Sequence, residues 1–294
     1  EFKNCGFEIV RYEKDSLLSI MRKNEQTDFY LSLQQSSRLA IFGYKNLPGD
    51  ILPINNIMDF KKLCDENSLF LIEDAAHSPG ALVDGKFAGT IGDVGCFSFF
   101  PSKVMTSGEG GMLVTNNDEI GRFARSFQNR GRDMTSNVEI YNMPGRNVRM
   151  TEMSALLGRI QLEKLEYFLE KRRNFATVYQ SELFGVDGIK VLIPKDKKSS
   201  SFWKVPIILD DGIDRVALTE NMRSRGVSVD WAYNPPVHLQ PVFINLYQTF
   251  VGQLPITENV LMRHICLPCH PRMAETDAFY VAQVLKNFLK DALG

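Results

Sequence analysis

Hydrophobic and polar residues recur along the chain with two periods, and these periods predict where strands and helices lie. Polar and apolar residues alternate over 7–12, which predicts a strand, while 17–21 fits a short helix. Residues 38–43 and 69–72 are compact apolar runs typical of strands, and the second is expected to be buried on both faces. Apolar residues at helical spacing predict a helix over 54–66 between them. This order indicates a βαβ unit of a parallel sheet.

The pattern continues with two short strands and two helices. Strands are predicted near 94–100 and 111–115, and a helix over 118–128. Thr151 can cap a long helix whose apolar face persists to about Phe184. These elements complete a predicted α/β domain with a mixed, mostly parallel sheet.

A polar, loop-rich stretch over 185–201 indicates a change of domain. We therefore predict a large domain over 1–184, which includes the long helix, and a smaller α+β domain over 185–294. The smaller domain is predicted to contain strands over 203–209 and 227–231 and a helix over 217–225. Its final helix carries apolar residues at helical spacing: Val281, Val284, Leu285 and Phe288.

Composition and charge narrow the possible functions. The chain has 294 residues, 44% of them hydrophobic and 23% charged, with a formal net charge of -1. This balance gives no electrostatic basis for binding nucleic acid or an anionic membrane surface. No apolar run reaches the roughly 20 residues of a membrane span. The five cysteines are odd in number and scattered, which favours a reducing, cytoplasmic location over a disulfide framework.

Lys103 is the first candidate for chemistry. An aromatic, strand-like run ends at Pro101, and Lys103 is followed by a glycine-rich turn over 108–111. A lysine enclosed by apolar residues and tight turns is expected to be partly buried, and burial lowers the pKa of its amine and makes the amine nucleophilic. We therefore predict that Lys103 carries a cofactor as a Schiff base.

The residues before Lys103 indicate which cofactor. Asp74 ends a predicted strand, His77 follows in a turn of small residues, and Ser98 precedes Lys103 by five positions. Pyridoxal phosphate needs a carboxylate for its ring nitrogen, a polar partner, a phosphate ligand and a lysine. Each residue also has a structural interpretation: Asp74 can cap the turn, His77 can be a structural histidine, and Ser98 can bond its own backbone.

Four segments resemble the DegT/DnrJ/EryC1/StrS family of sugar aminotransferases, in that family's order. Residues 71–81 (LIEDAAHSPGA) resemble the motif that holds the cofactor ring. Residues 97–103 (FSFFPSK), continued by 106–111 (TSGEGG), resemble the lysine segment. Residues 145–152 (GRNVRMTE) resemble the segment that opens the long helix, and 267–271 (LPCHP) resemble a late element. The resemblance covers essentially the whole chain.

The resemblance implies a fold, a set of residue roles and a class of substrates. The fold is that of type I, aspartate-aminotransferase-like enzymes, which act as homodimers with active sites at the subunit interface. By position, Lys103 would carry the cofactor, Asp74 would pair with the pyridinium, His77 would lie against the ring and Ser98 would bind the phosphate. Asn147 would reach the phosphate of the neighbouring subunit's cofactor. Family substrates are nucleotide-linked keto sugars, with glutamate the usual amine donor.

Departures from the family pattern leave other functions open. The family begins earlier, with a Ser-Gly-Thr phosphate turn at a helix N-terminus, so we expect an N-terminally truncated member. Such a chain is either an active aminotransferase or an inactive dimerising or binding module. A related enzyme acting on a free amino acid is a third possibility. Some relatives have His at the position of Lys103 and are dehydrases, so Lys103 favours transamination. Val148 stands where the family has an aromatic residue, and we interpret this difference as a packing change.

Two further motifs have competing interpretations. Residues 266–270 (CLPCH) match the attachment signature of a c-type haem, but they also fit a short buried strand that ends at Pro271. The family resemblance explains the pattern because Cys269 would fill a variable position of the late element. One C-x-x-C pair is too little for a zinc site, so no metal is expected. His238 and Trp231 lie in a Pro-rich region and either face the substrate or pack within the smaller domain.

Overall fold

The structure is a computed structural model that describes residues 39–43, 56–66, 69–231 and 233–294. The strand predicted over 7–12 and the helix predicted over 17–21 lie outside the described residues. The described residues form two compact units, which divide between Glu166 and Tyr167. The change of domain after residue 184 stays a prediction.

The first unit contains an α/β arrangement of strands and helices. In chain order its described elements are β1 (Leu39–Gly43), α1 (Asn56–Glu66), β2 (Phe70–Asp74), β3 (Leu82–Val83), β4 (Lys86–Phe87), β5 (Val94–Ser98), β6 (Gly111–Val114), α2 (Asp118–Gln128) and α3 (Glu152–Glu163).

The main sheet of this unit has the strand order β1-β2-β5-β6 among the described residues. β1 pairs with β2 and β2 pairs with β5 in parallel, whereas β5 and β6 are antiparallel. Helix α1 connects β1 to β2, so the βαβ unit predicted from the sequence is confirmed. The mixed, mostly parallel sheet is confirmed with it.

Burial along β2 differs from the prediction. Leu71 and Glu73 are fully buried, whereas Phe70 is 45% exposed and Asp74 is exposed. The expectation that this strand is buried on both faces is therefore wrong. Side chains alternate between the two faces of a strand, and here one face is buried and the other is partly open. The buried face includes a carboxylate, which the apolar run before it does not suggest.

The small hairpin of β3 and β4 was not predicted. Its turn residues are Asp84 and Gly85, with φ of 47° and 79°. Positive φ at both central residues is the requirement of a type I′ turn, and Asp-Gly is a preferred pair for it. The dipeptide was thus a usable signal for the hairpin.

Polar caps start both helices that follow the sheet. The Asn117 side chain accepts hydrogen bonds from the N–H groups of Glu119 (2.9 Å) and Ile120 (3.1 Å), so α2 begins at Asp118 as predicted. The Thr151 hydroxyl accepts from the Ser154 N–H at 3.2 Å, which confirms its predicted role as the cap of α3.

The long helix predicted from Thr151 to about Phe184 is two helices. α3 ends at Glu163, and α4 runs over Leu165–Glu182. The Lys164 N–H bonds to the Gln161 carbonyl at 3.1 Å, and this three-residue spacing tightens the last turn of α3. The apolar period continues across this break, so the sequence pattern did not reveal it.

The second unit is α+β. Its described elements are α4 from Tyr167 onward, β7 (Ile189–Val191), β8 (Val205–Leu209), α5 (Arg215–Ser224), α6 (Pro241–Tyr247), α7 (Pro255–Arg263), β9 (His264–Leu267) and α8 (Glu275–Leu293), together with short 3-10 turns.

The three strands of this unit form an antiparallel sheet in the order β7-β8-β9. The apolar residues predicted for the final helix lie in α8 against the core, with Val281, Val284 and Leu285 buried and Phe288 partly buried. The strand predicted over 227–231 is wrong. Only Asp230 pairs there, in an isolated bridge with Cys266, and a single bridge does not form a strand.

Candidate active site

Asp74 is the last residue of β2 and lies at the carboxyl end of the parallel strands. It is directly opposite Cys96 of β5, and the Ala75 N–H extends the pairing to the Cys96 carbonyl at 2.9 Å. One carboxylate oxygen, Oδ1, accepts from the Ala76 N–H at 3.1 Å. The capping contact considered for Asp74 from the sequence is therefore present. Because the side chain is exposed, this contact is compatible with a ligand at the same carboxylate.

His77 lies in the turn that follows Asp74. The Ser78 N–H bonds to the Ala75 carbonyl at 3.0 Å, and the Ala81 N–H bonds to the Ser78 carbonyl at 3.1 Å. The chain thus reverses in two closed turns, with Gly80 at φ 78°. His77 is half-buried on this turn. Its role toward a cofactor ring stays a prediction.

Ser98 is the last residue of β5, on the strand beside β2. Its Oγ lies 3.5 Å from the Phe100 N–H, which is long for a hydrogen bond. The interpretation in which Ser98 mainly bonds its own backbone therefore has weak support. The hydroxyl is half-buried, and its role as a phosphate ligand stays a prediction.

Lys103 lies in the turn that leaves the sheet after β5. Its N–H bonds to the Phe100 carbonyl at 3.0 Å, and the next two residues, Val104 and Met105, are each 4% exposed. Burial lowers the pKa of the Lys103 amine, and the negative charge of Asp74 opposes this shift. The amine therefore loses its proton more readily than that of an exposed lysine, as predicted for a nucleophile.

The glycine-rich turn after Lys103 folds back on Phe99. The Ser107 N–H and the Thr106 hydroxyl both donate to the Phe99 carbonyl, at 3.0 and 2.9 Å. Gly110 has φ 157°, and a Cβ there would lie 2.4 Å from the Ser107 Oγ. The positive φ therefore favours glycine at this position. The closed turn holds the segment that carries Lys103 against the end of β5.

Glu73 is a buried carboxylate next to Asp74 that the sequence reasoning did not single out. Its carboxylate is fully buried and accepts hydrogen bonds from the N–H groups of Gly89 (2.7 Å), Ile91 (2.6 Å) and Gly92. The available signal was a carboxylate within a buried strand, which requires strong partners because an unpaired buried charge is costly. Glu73 and Asp74 point to opposite faces of the sheet.

Asn147 lies on the returning side of a loop between α2 and α3. It forms an isolated antiparallel bridge with Asn129, and the Arg149 Nη1 donates to the Asn129 Oδ1 at 2.7 Å. The Val148 N–H bonds to the Gln128 carbonyl at 3.1 Å. The Asn147 side chain is exposed. The structure therefore does not bring Asn147 together with Asp74 and Lys103 through any described contact, and its role toward a neighbouring subunit stays a prediction.

The other sequence motifs lie in the second unit. The His238 Nε2 is 3.0 Å from the Glu258 Oε1, and the Arg215 guanidinium lies 4.7 Å from the centre of the Trp231 ring. Both residues thus make contacts within this unit, as expected for packing. The haem-like motif begins in the last two residues of β9, which ends at Leu267 and not at Pro271. Burial raises the pKa of Cys266 to about 12 and that of Cys269 to about 11.

Metal-ligand clusters and membrane-spanning helices are both absent from the described residues. No group of three or more His, Cys, Asp or Glu residues in this part of the chain is arranged to hold a metal ion. None of its helices is both long and apolar enough to cross a membrane.

The fold and the site define the class of protein. The aminotransferase TlmJ from Streptoalloteichus hindustanus has a similar structure, with a TM-score of 0.73 and 28% sequence identity over 87% of this chain and 66% of that one. The predicted class, a PLP fold type I protein with a mixed sheet, is confirmed by this similarity.

The chain belongs to the DegT/DnrJ/EryC1/StrS aminotransferase family, whose model matches residues 46–286. GDP-perosamine synthase of Vibrio cholerae is 32% identical over 242 residues, which cover 79% of this chain and 63% of that protein. The putative pyridoxal phosphate-dependent aminotransferase EpsN of Bacillus subtilis is 31% identical, over 82% of this chain and 61% of that one. The chain thus spans less than two thirds of the length of these relatives.

Proposed function

We propose that the protein is a pyridoxal phosphate-dependent aminotransferase that moves an amino group from an amino acid, glutamate in our proposal, to a nucleotide-linked keto sugar. The observation that carries this proposal is Lys103, whose half-buried amine has a lowered pKa and is acted on by the charge of Asp74 at the carboxyl edge of the sheet. Relatives named for a GDP-linked amino sugar and for pyridoxal phosphate support the substrate class and the cofactor.

The residues at this edge suit the cofactor. Asp74 offers an exposed carboxylate for the pyridinium nitrogen, and Ser98 offers a hydroxyl without a short backbone contact for the phosphate. His77 would lie against the ring, and Asn147 would reach the phosphate of the cofactor in the neighbouring subunit. Ordered partners for the ring, the phosphate and the aldehyde are what this cofactor requires of a protein.

Lys103 performs the proton transfers in the proposed mechanism. Bound pyridoxal phosphate supplies an electron sink for the charge that develops when a proton leaves the carbon bearing the amine. The Lys103 Nζ takes up that proton as a base and returns one as an acid, which a lowered pKa favours near neutral pH. Asp74 keeps the ring nitrogen protonated by ion pairing, so negative charge is stabilised. The same residues carry out the reverse steps on the keto sugar.

Absorbance and donor turnover test this proposal together. The chain should bind pyridoxal phosphate with a visible absorbance band that is absent in Lys103→Ala. Glutamate should then convert the bound cofactor to pyridoxamine phosphate and abolish the band. A chain that binds the cofactor through Lys103 without this conversion would support the alternative of an inactive binding module. A chain that stays colourless with added cofactor would contradict the proposal.

We propose that the active form is a homodimer. Helix α3 has no buried residue, although it is rich in large apolar side chains. Met153 is 78% exposed, and three further apolar residues on the same face of the helix are 38–46% exposed: Leu156, Leu157 and Ile160. A contiguous apolar surface of this kind marks an interaction site. A second copy of the chain that covers α3 would also bring Asn147 close to a neighbouring site.

We place this enzyme in the cytoplasm as part of the same proposal. Cys64, Cys96, Cys266 and Cys269, the cysteines within the described residues, are all free thiols. Free thiols are typical of proteins in a reducing compartment. The small-molecule partners in this proposal are a nucleotide sugar and an amino-acid donor.

A further inference from the structure

Glu73 binds a turn on the face of the sheet opposite Asp74. Its Oε2 accepts from the Gly89 N–H at 2.7 Å, and its Oε1 accepts from the N–H groups of Ile91 (2.6 Å) and Gly92. The carboxylate is 0% exposed. Hydrogen bonds from N–H groups to an ionised acceptor are about twice as strong as neutral ones, and burial strengthens them further.

The turn that Glu73 binds lies in close contact with β2 and β5. A Cβ on Gly95 would lie 1.9 Å from the Gly89 carbonyl oxygen, and a Cβ on Gly92 would lie 2.6 Å from the Leu71 carbonyl oxygen. A Cβ on Gly89 would lie 2.4 Å from the Phe97 ring. The backbone of the 89–92 turn is therefore packed against the backbone of both β2 and β5. Through this turn, Glu73 is attached to a rigid part of the sheet.

The attachment lies one residue before Asp74. The backbone of β2 beyond Glu73 is held to β5 by the pairing of Asp74 with Cys96 and by the Ala75 N–H bond to the Cys96 carbonyl. A tilt of the strand end around Glu73 would move the Asp74 carboxylate on the opposite face. Holding Glu73 thus restrains the backbone from which the Asp74 carboxylate projects.

We propose that Glu73 is a positioning residue for Asp74, because its carboxylate anchors the end of β2 to the 89–92 turn and so directs the Asp74 carboxylate toward the pyridinium nitrogen. This inference rests on the proposed function. The alternative is a purely structural role, in which the Glu73 contacts stabilise the unit without affecting the cofactor.

A double-mutant cycle on cofactor affinity separates these roles. The dissociation constant for pyridoxal phosphate is measured by absorbance titration for the unaltered chain, Glu73→Gln, Asp74→Asn and the double variant. In Glu73→Gln an NH₂ group can face the Gly89 N–H, so a donor meets a donor. We expect the dissociation constant to rise about tenfold. Loss of a residue that hydrogen-bonds to a metal ligand weakens metal binding by about 10–100-fold, and we take the lower end of that range. Glu220→Gln, at an exposed position of α5, should leave it unchanged.

The cycle has a defined outcome for each role. If Glu73 acts through Asp74, the double variant should bind no more weakly than Asp74→Asn alone. Glu73→Gln should also shift the pH titration of the visible band in the same direction as Asp74→Asn, a signature that lower stability alone does not produce. The inference would be overturned if the losses of cofactor affinity in Glu73→Gln and Asp74→Asn added up in the double variant. It would also be overturned if Glu73→Gln lowered stability to urea but left the pH titration of the visible band unchanged. In either case the proposed function would stand. An unaltered chain without a Lys103-dependent band would overturn both.

A milder variant and a measurement on the unaltered chain guard against misfolding. Glu73→Asp keeps the charge but shortens the side chain, and it replaces Glu73→Gln in the cycle if the latter does not fold. Hydrogen exchange on the unaltered chain needs no substitution. The amides of Gly89, Ile91 and Gly92 should exchange as slowly as those of β2, and fast exchange at all three would overturn the inference.

Discussion

The charge of Asp74 acts on the amine of Lys103, although β2 and the turn after β5 carry these residues 29 positions apart in sequence. Burial of Lys103 lowers its pKa, and the Asp74 carboxylate shifts the same pKa upward by a smaller amount. The balance leaves an amine that releases its proton readily while a carboxylate remains nearby. Both properties are needed by a lysine that must react with an aldehyde and then transfer protons.

Asp74→Asn should lower the pKa of Lys103 further. The substitution removes the negative charge that favours the ammonium form and leaves the burial in place. NMR of the reductively ¹³C-methylated chain can follow this titration, with the Lys103 signal assigned by its loss in Lys103→Ala. Asp84→Asn, in the turn of the β3–β4 hairpin, is the matched control and should leave the titration unchanged. An upward shift in Asp74→Asn would show that the two groups are not coupled as described.

Lys103→Met should stabilise the cofactor-free chain in a pH-dependent way. The pKa of Lys103 in the folded chain lies below 10.5, its ordinary value, which applies to the unfolded chain. At a pH between these two pKa values, the Lys103 amine is therefore more fully protonated in the unfolded chain than in the folded one. The stability of the unaltered chain therefore rises with pH through this window. Urea unfolding should show the largest advantage of Lys103→Met below the window and none above about pH 10.5.

A lysine at an exposed position is the control for that experiment. Lys190 lies on β7 in the second unit and is exposed. Lys190→Met should change stability by an amount that does not vary across the same pH range. An advantage of Lys103→Met that is equal at every pH would mean that packing, and not the buried charge, is the cause.

Leu157→Glu should prevent dimer formation. Leu157 is 40% exposed on α3, within the apolar surface that we assign to the subunit interface. A carboxylate buried without a partner is strongly unfavourable, so association should weaken at least about tenfold. Light scattering coupled to size exclusion measures the mass. Val216→Glu, at a position that is 57% exposed on α5, should leave a dimer, and a dimeric Leu157→Glu would contradict the assignment.

Gly95→Ala and Gly158→Ala should have opposite effects on stability. A Cβ on Gly95 would lie 1.9 Å from the Gly89 carbonyl oxygen, where rigid backbone cannot yield, so we expect a loss of about 3 kcal/mol or more. Gly158 lies within α3, and the nearest atom to a Cβ there would be the Ser107 Cβ at 3.5 Å, which is an ordinary van der Waals contact. Alanine should there stabilise the helix by up to about 1 kcal/mol.

Urea denaturation of both variants checks this pair. The free energies of unfolding should move in opposite directions from that of the unaltered chain. A Gly95→Ala chain of normal stability would mean that the 89–92 turn can move away from β5. That result would also weaken the argument that this turn is a rigid anchor for Glu73.

Most elements of the first unit could be predicted because their signals are local. Residues close in sequence form the apolar run before Asp74, the Thr151 cap and the glycine turn after Lys103. The errors occurred where the deciding contact is not local or does not change the pattern. The 227–231 segment has strand-like residues but lacks a ladder partner, and Lys164 interrupts a helix without interrupting its apolar period.

The sequence by itself determined the family, the βαβ unit that contains β1 and β2, and the identity of the candidate residues Asp74, His77, Ser98, Lys103 and Asn147. It did so because motif spacing and hydrophobic period are properties of the chain. Only the tertiary structure decided that the charges of Asp74 and Lys103 interact and that Glu73 binds the 89–92 turn. These contacts depend on the parallel pairing of β2 with β5, and no residue pattern within either strand specifies that register.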